Sequence, residues 1–258
     1  MIAKHFIICR FAMNYDKSIN WDNSNTFDKY LEIAKNNIIR TLENQTDKNF
    51  ILVFFTQHDT EENINKLKSL SDKFTIIIHN PDKGNFLESN IISDVELIAT
   101  SRLDYDDFVD RECVANVHKL FKPELKVALF GINSGCTFDT KTKEAYFFSP
   151  TKYMISKTGL NAPMCTLLYN IHYMKKPITI LDLGTHQNCI SNFIKLKNNI
   201  LRWDIDINGI LNIFYYNTLG FIWTRHDLSF SKSSIIHNST IKLDVVNEDF
   251  KNTFGIII

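Results

Sequence analysis

The sequence predicts an α/β protein: a mostly parallel central sheet flanked by helices, with a smaller antiparallel hairpin region and a mixed C-terminal part. Three observations carry that expectation. Strand-length apolar runs alternate with amphipathic stretches through the N-terminal half, the rhythm of a parallel sheet with covering helices. HFIICRFAM, FILVFFT and FTIIIHN are almost continuously apolar, as strands buried on both faces require. Each run ends in a polar cluster, and in such sheets ligands bind beyond the carboxyl ends of the strands.

KHFIICRFAM (4–13) is the first strand. Its apolar run is short and interrupted by Arg10, with no small-residue cleavage site, so it reads as a strand and not as a signal peptide. Residues 26–43 place Phe27, Tyr30, Leu31, Ile33, Ala34, Ile38 and Leu42 near helical spacing, with Thr26 as the expected N-cap. NQTDKN is a turn. FILVFFT (50–56) is the second strand, ending in Gln57, His58 and Asp59, and a polar helix follows from Thr60 to Leu70. FTIIIHN (74–80) is the third strand, stopped by Pro81. DVELIATSRLD (94–104) contains the fourth, and 108–121 is expected to be a helix closed by Lys122-Pro123. KVALFG followed by GCTFDTKTKEAYFF then reads as antiparallel pairing about a TKTK turn. TKYMISKTGLNAPM (151–164) reads as a loop, and PITILDLGTHQN (177–188) as a strand ending in Asp182, Gly184, Thr185 and His186. No repeat or linker divides the chain, so 1–258 is expected to be one domain.

Lys+Arg and Asp+Glu both number 29, so no bulk field favours nucleic acid or an anionic membrane. The five cysteines are odd in number and lack zinc-ligand spacing, which predicts free thiols in a reducing cytoplasm. No apolar stretch reaches the length of a membrane span. ILNIFYYNTLGFIW (210–223) is long, aromatic and uncharged, and would suit peripheral contact with the inner face of a membrane. Walker A, GxGxxG and GxSxG motifs are absent.

Four polar clusters from separate segments should converge on one rim: Arg10, His58-Asp59, His79 to Asp82, and Arg102 to Asp107. The last contains Asp104, Asp106 and Asp107 within four positions. Like charges this close repel, so something positive is expected among them. A D-x-D pair at a strand end suits Mn²⁺ or Mg²⁺, which favours carboxylate oxygens and leaves sites open for phosphates. The plainer reading makes Asp106 or Asp107 the N-cap of the next helix, and the two readings coexist if Asp107 caps while Asp104 and Asp106 ligate. Arg102 and Arg10 are placed to meet phosphates or to pair with the aspartates. His58 and Asp59 are either base or ribose contacts or turn residues. His186 would complete the metal site or lie on a surface loop. Asp182 is a base candidate or a strand-end aspartate. Phe147, Phe148 and Tyr153 read as packing.

Three stretches resemble a known family: HFIICRFAM, TLENQTDKNFILVFFTQHD (41–59), and TSRLDYDDFV (100–109), which matches an R-[LI]-D-x-D-D signature. The hairpin GCTFDTKTKEAYFF is similar to one that follows in the same family. The family is the rhamnosyltransferase group of bacterial and viral glycosyltransferases with a GT-A type fold, and the resemblance covers about residues 4–150. It implies a nucleoside-diphosphate sugar donor, a divalent metal at the D-x-D, and a glycan or lipid-linked glycan acceptor. Residues 1–107 would form the donor half and 108–258 the acceptor half. Carried across, Asp104 and Asp106 are the metal and diphosphate pair, with Asp107 beside them. Arg10, Phe11, His58, Asp59, Arg102 and Asp104 face the donor. Tyr105 departs from the small polar residue expected in the middle of the motif. An inverting mechanism needs a base, for which Asp182, Asp139 and His186 are the candidates. Two other classes use or mimic the same rim: a metal-dependent nucleotidyltransferase or nucleotide-sugar hydrolase, and a catalytically inactive binding domain.

Overall fold

The structure is a computed structural model. It describes residues 2–14, 19–21, 23–90, 94–139, 141, 144–148, 163–185, 188–202, 211–225, 242–243 and 248–255. At its centre, β1 (Ala3–Arg10) lies between β2 (Ile51–Phe55) and β4 (Leu97–Arg102), parallel to both, and β3 (Thr75–His79) extends the parallel set beyond β2. This is the mostly parallel sheet that the apolar runs predict.

The sheet then changes character. β8 (Cys165–Asn170) pairs antiparallel with β4, and β6 (Val127–Asp139) pairs antiparallel with β8. On the same edge of β6 the outer half takes up β7 (Glu144–Phe148), antiparallel as expected, and β10 (Lys242–Leu243) follows β7. Along the opposite edge β9 (Leu211–Arg225) runs parallel to β6, and the short β5 (Asp107–Val109) closes that side by pairing with β9.

Alternation along β1 sends side chains to two cores. Ile7, Cys9 and Phe11 pack with Phe27, Tyr30, Ala34, Ile38 and Leu42, which come from α1 (Ser24–Ala34), a π-helical turn (Lys35–Ile39) and α2 (Arg40–Glu43). Leu67 of α3 (Glu61–Lys68) joins the same core, as do Cys113, Val114 and Val117 of α5 (Cys113–His118). Phe6 and Ile8 face the other way, onto Phe86 of α4 (Phe86–Asn90) and Ile190 and Phe193 of α6 (Cys189–Ile200). Each such burial contributes roughly 1.5–3 kcal/mol. A third, smaller core places Phe108, Cys136, Phe138 and Ala145 against Phe254 of α7 (Glu248–Phe254).

Several expectations are corrected. The first helix begins a turn earlier than Thr26, because Asn23 Oδ1 accepts from the Asn25 amide and caps it. Residues 107–109 form β5 and not a helix start. α5 opens only at Cys113, after a turn in which Asp110 accepts from the Glu112 amide. Asp107 therefore caps no helix. PITILDL is a 3₁₀ turn (Ile180–Leu183) and not a strand, for Asp182 Oδ2 accepts from both the amide and hydroxyl of Thr179, a local bond that beats the β-branched propensity of the run. β8 and α6 were not anticipated. All five cysteines are buried thiols, and burial pushes Cys165 up to about 12. No helix among the described residues is long and apolar enough to cross a membrane.

Candidate active site

The carboxyl ends of β1 and β4 lie side by side, with Ile8 opposite Arg102 in the register. That places Arg10 and Arg102 on one rim and Asp104 between them. Asp104 accepts from Arg102 twice, Nη2 to Oδ2 at 2.7 Å and Nε to Oδ1 at 3.3 Å, and Arg10 Nη2 reaches Oδ1 at 3.5 Å. The positive partner demanded by the acidic cluster is thus a pair of guanidinium groups. Arg102 is deeply buried. Burial works against its charge, but Asp104 more than offsets this and holds its pKa above the usual arginine range.

The middle residue of the motif explains itself in the fold. Tyr105 points inward, edge-on to Phe11 at 5.9 Å and to Tyr30 at 5.6 Å. Burial, then Asp106, raise its phenol far above the ordinary range, so it stays neutral. An aromatic ring here anchors the loop to the core. The π turn adds a second tie, as Asn37 Nδ2 donates to the Asp106 carbonyl at 2.8 Å; such turns recur at functional positions.

Phe11, expected to face the donor, is instead sealed in the core. Its ring meets Phe27, Phe54, Trp21 and Tyr105, so its side chain supports the rim from beneath. Asp107 is likewise buried. His58 and Asp59 do sit at the β2 end of the rim. His58 Nε2 donates to Asn14 Oδ1 at 2.9 Å, and Asp59 accepts from Asn80 and Lys83. Gln57 bridges the two, taking the Asn14 amide and donating to Asp82. Beside His58, at a ring separation of 6.2 Å, the Trp21 indole N–H is buried with no partner among the described residues. Sequence reasoning missed Trp21, since nothing local ties DKSINW to the rim.

The base candidates fall in different places. Asp182 is committed through Oδ2 to Thr179, and its turn rests on β4 through the Ile180 amide and Thr100 Oγ1 at 2.8 Å. Asp139 ends β6 and accepts from the Lys141 amide. The register aligns Asp107 with Trp223 and Trp223 with Thr137. Asp139 is thus two strands across and two residues on from Asp107, roughly 12 Å away and on the same sheet face. His186 and Tyr153 lie outside the described residues.

A divalent ion fits this rim in one way. Asp104 is occupied by two arginines, and no group of three or more His, Cys, Asp or Glu among the described residues is placed to hold an ion. Asp106 offers one carboxylate. Mg²⁺ or Mn²⁺ bound there would draw its remaining oxygens from a diphosphate and water, a coordination these ions accept.

No protein-family model matches this sequence, and no curated protein matches it. The chain is similar in outline to several solved structures. One is Staphylococcus aureus TarS (residues 1–349) in complex with UDP-GlcNAc, at 11% identity and TM-score 0.45, covering 90% of this chain and 62% of that one. A second is the inositol-1-phosphate CTP transferase of T. maritima, at 10% identity and TM-score 0.39, covering 86% and 89%. A third is HddC from Yersinia pseudotuberculosis, at 13% identity and TM-score 0.40, covering 86% and 93%. At these scores the similarity is one of outline and says nothing about the chemistry at Asp104.

Proposed function

We propose that the protein is a glycosyltransferase that moves a sugar, rhamnose or another hexose, from a nucleoside-diphosphate donor to a hydroxyl of a surface glycan. The observation that carries this reading is the Arg10–Asp104–Arg102 clamp with Asp106 beside it, at the carboxyl ends of adjacent parallel strands. Asp104 orients two planar guanidinium groups, the donors best matched to phosphate oxygens. The corner formed by Arg10 and residues 102–107 counts two guanidinium groups against three carboxylates, so a bare diphosphate meets excess negative charge there. A divalent ion at Asp106 supplies the missing positive charge and neutralises the leaving diphosphate. The His58–Asn14–Gln57 network and the Trp21 N–H, which has no partner among the described residues, lie beyond Arg10, where the nucleoside end of a donor would extend. The acceptor approaches from the β5–β9–β6 side, and Asp139 is the base on that face.

The test is a product assay with UDP-, GDP-, dTDP- and CDP-sugars. Release of a nucleoside diphosphate, lost in Asp106→Asn, supports sugar transfer. Release of a monophosphate or of pyrophosphate assigns the rim to nucleotide-sugar hydrolysis or nucleotidyl transfer. No release and no nucleotide binding makes it a binding domain with an ornamental clamp.

A further inference from the structure

Beneath the rim, a line of side-chain hydrogen bonds passes through the sheet. His118 Nδ1 lies 2.7 Å from Asp47 Oδ2. His118 Nε2 lies 3.1 Å from His5 Nδ1, and His5 Nε2 lies 2.7 Å from Ser101 Oγ. Ser101 Oγ is 2.5 Å from Thr166 Oγ1, and Thr166 Oγ1 lies 3.0 Å from the Met164 carbonyl oxygen. His5, Ser101 and Thr166 are buried, and the line reaches solvent only at its Asp47 end. The groups facing His118 are Asp47 from the turn after α2, His5 from β1, and the Phe121 ring stacked at 4.9 Å.

Counting protons along this line gives an imbalance. It has five links and ends on an acceptor at each end, a carboxylate and a carbonyl. With both imidazoles neutral, His118, His5, Ser101 and Thr166 bring one proton each, four for five links. With His118 giving its proton to Asp47 and the 3.1 Å contact between the two imidazoles hydrogen-bonded, His5 donates from Nδ1 to His118. Ser101 must then donate to His5, and Thr166 to Ser101. Nothing is left for Met164, and two oxygens face each other at the fifth link. One added proton reverses the line. His118 becomes a double donor, His5 donates from Nε2 to Ser101, Ser101 to Thr166, and Thr166 to Met164.

We propose that this line is a one-proton switch in which protonation of His118 flips the tautomer of buried His5 and completes the hydrogen bond to Met164. The surroundings disfavour the added proton on His5 and on Asp47. Burial, and then His118 itself, hold His5 well below the usual histidine range. Burial pushes Asp47 up, but the Asn49 amide and His118 outweigh it and keep that carboxylate ionised. The far end touches the candidate site. Met164 is a non-glycine residue at φ 64°, a strained left-handed conformation, and its amide donates to the Arg102 carbonyl at 2.7 Å. The loaded line grips Met164 from its carbonyl side and so secures the strand end that carries Arg102. The unloaded line leaves that carbonyl facing a lone pair.

The test is long-range ¹H–¹⁵N NMR of the histidine rings in the intact chain, from about pH 5 to 8. His5 should change from the Nδ1–H to the Nε2–H tautomer as pH falls, with a single midpoint. Thr166→Val removes the fourth and fifth links, leaving three links for three protons, and the midpoint should fall by roughly one pH unit, while Thr166→Ser should keep it. Asp47→Asn should also lower it, and gives an independent check should the buried valine disturb folding. A His5 tautomer that stays constant across the range, or a midpoint that Thr166→Val and Asp47→Asn leave unmoved, overturns the proposal. These signals are indifferent to whether the rim binds a nucleotide, so failure of that reading leaves them unchanged.

Discussion

Two polar clusters are built from the same two strands and behave oppositely. Arg10 and Arg102, with Asp104, sit at the carboxyl ends of β1 and β4 and are formally charged, Arg10 and Asp104 partly open to solvent and Arg102 buried against Asp104. His5 and Ser101 sit further back on the same strands, closed at both ends by protein groups and largely neutral. Ser101 and Arg102 are adjacent in sequence, yet the pleat sends them to different surroundings. The position along the strand therefore decides the role. At the rim a charge keeps valence for a ligand, whereas inside the sheet every valence must be met by the protein or by a proton.

The comparison breaks most visibly at the rim. Asp106→Asn should lower turnover by about 100-fold or more, with little change in melting temperature, because it removes charge stabilisation where the diphosphate leaves. Steady-state kinetics alongside a thermal melt check this. If Asp106→Asn turns over normally, the rim is not where the chemistry happens.

Phe11→Ala should do the reverse. It removes the hub of four aromatic contacts and should cost about 3–5 kcal/mol in denaturant unfolding. A stable variant with weakened donor binding would return Phe11 to the ligand side of the rim. Asp104→Asn falls between the two. It weakens the ionic pairing of the buried Arg102, and a cost of about 2 kcal/mol sits between exposed and buried ion pairs.

The smallest effect is at Asp59. Hydrogen bonds from Lys83 and then Asn80 hold its carboxyl below the usual range. A depressed pKa gives stability that is present above the unfolded value and lost as pH falls through the folded one. Lys83→Ala should thus remove under about 1 kcal/mol near neutral pH and nothing measurable once the carboxyl is protonated. Equal losses at both pH values would mean that Lys83 acts through packing.

The first four strands and the helix between Phe27 and Leu42 were legible because their signals are local: continuous apolar runs, helical spacing and turn residues. The β6–β7 hairpin was legible from its alternation. The rim followed from strand ends alone. What escaped depends on distant partners. β5 exists because β9 pairs with it more than a hundred residues later, so DFV read as the start of a helix. β8 exists because β4 and β6 leave a slot for an antiparallel strand, which nothing in CTLLYN announces. Asp182 did carry a signal, the Thr-x-x-Asp spacing of a capping box, which the β-branched run masked. The His5–His118 line had none, as its members lie 113 residues apart.

The most direct test of the account is thermal stabilisation by UDP, GDP, dTDP and CDP, each with and without Mn²⁺, on the wild-type chain and on Asp106→Asn. Binding to the native state stabilises it by RT ln(1 + [L]/Kd) and so raises the melting temperature. Because Asp106 offers a single carboxylate, Mn²⁺ alone should leave the melting temperature unchanged, one nucleotide with Mn²⁺ should raise it, and Asp106→Asn should abolish that rise. A melting temperature unmoved by every nucleotide, with and without the ion, would contradict the assignment of the Arg10–Asp104–Arg102 rim as a diphosphate site.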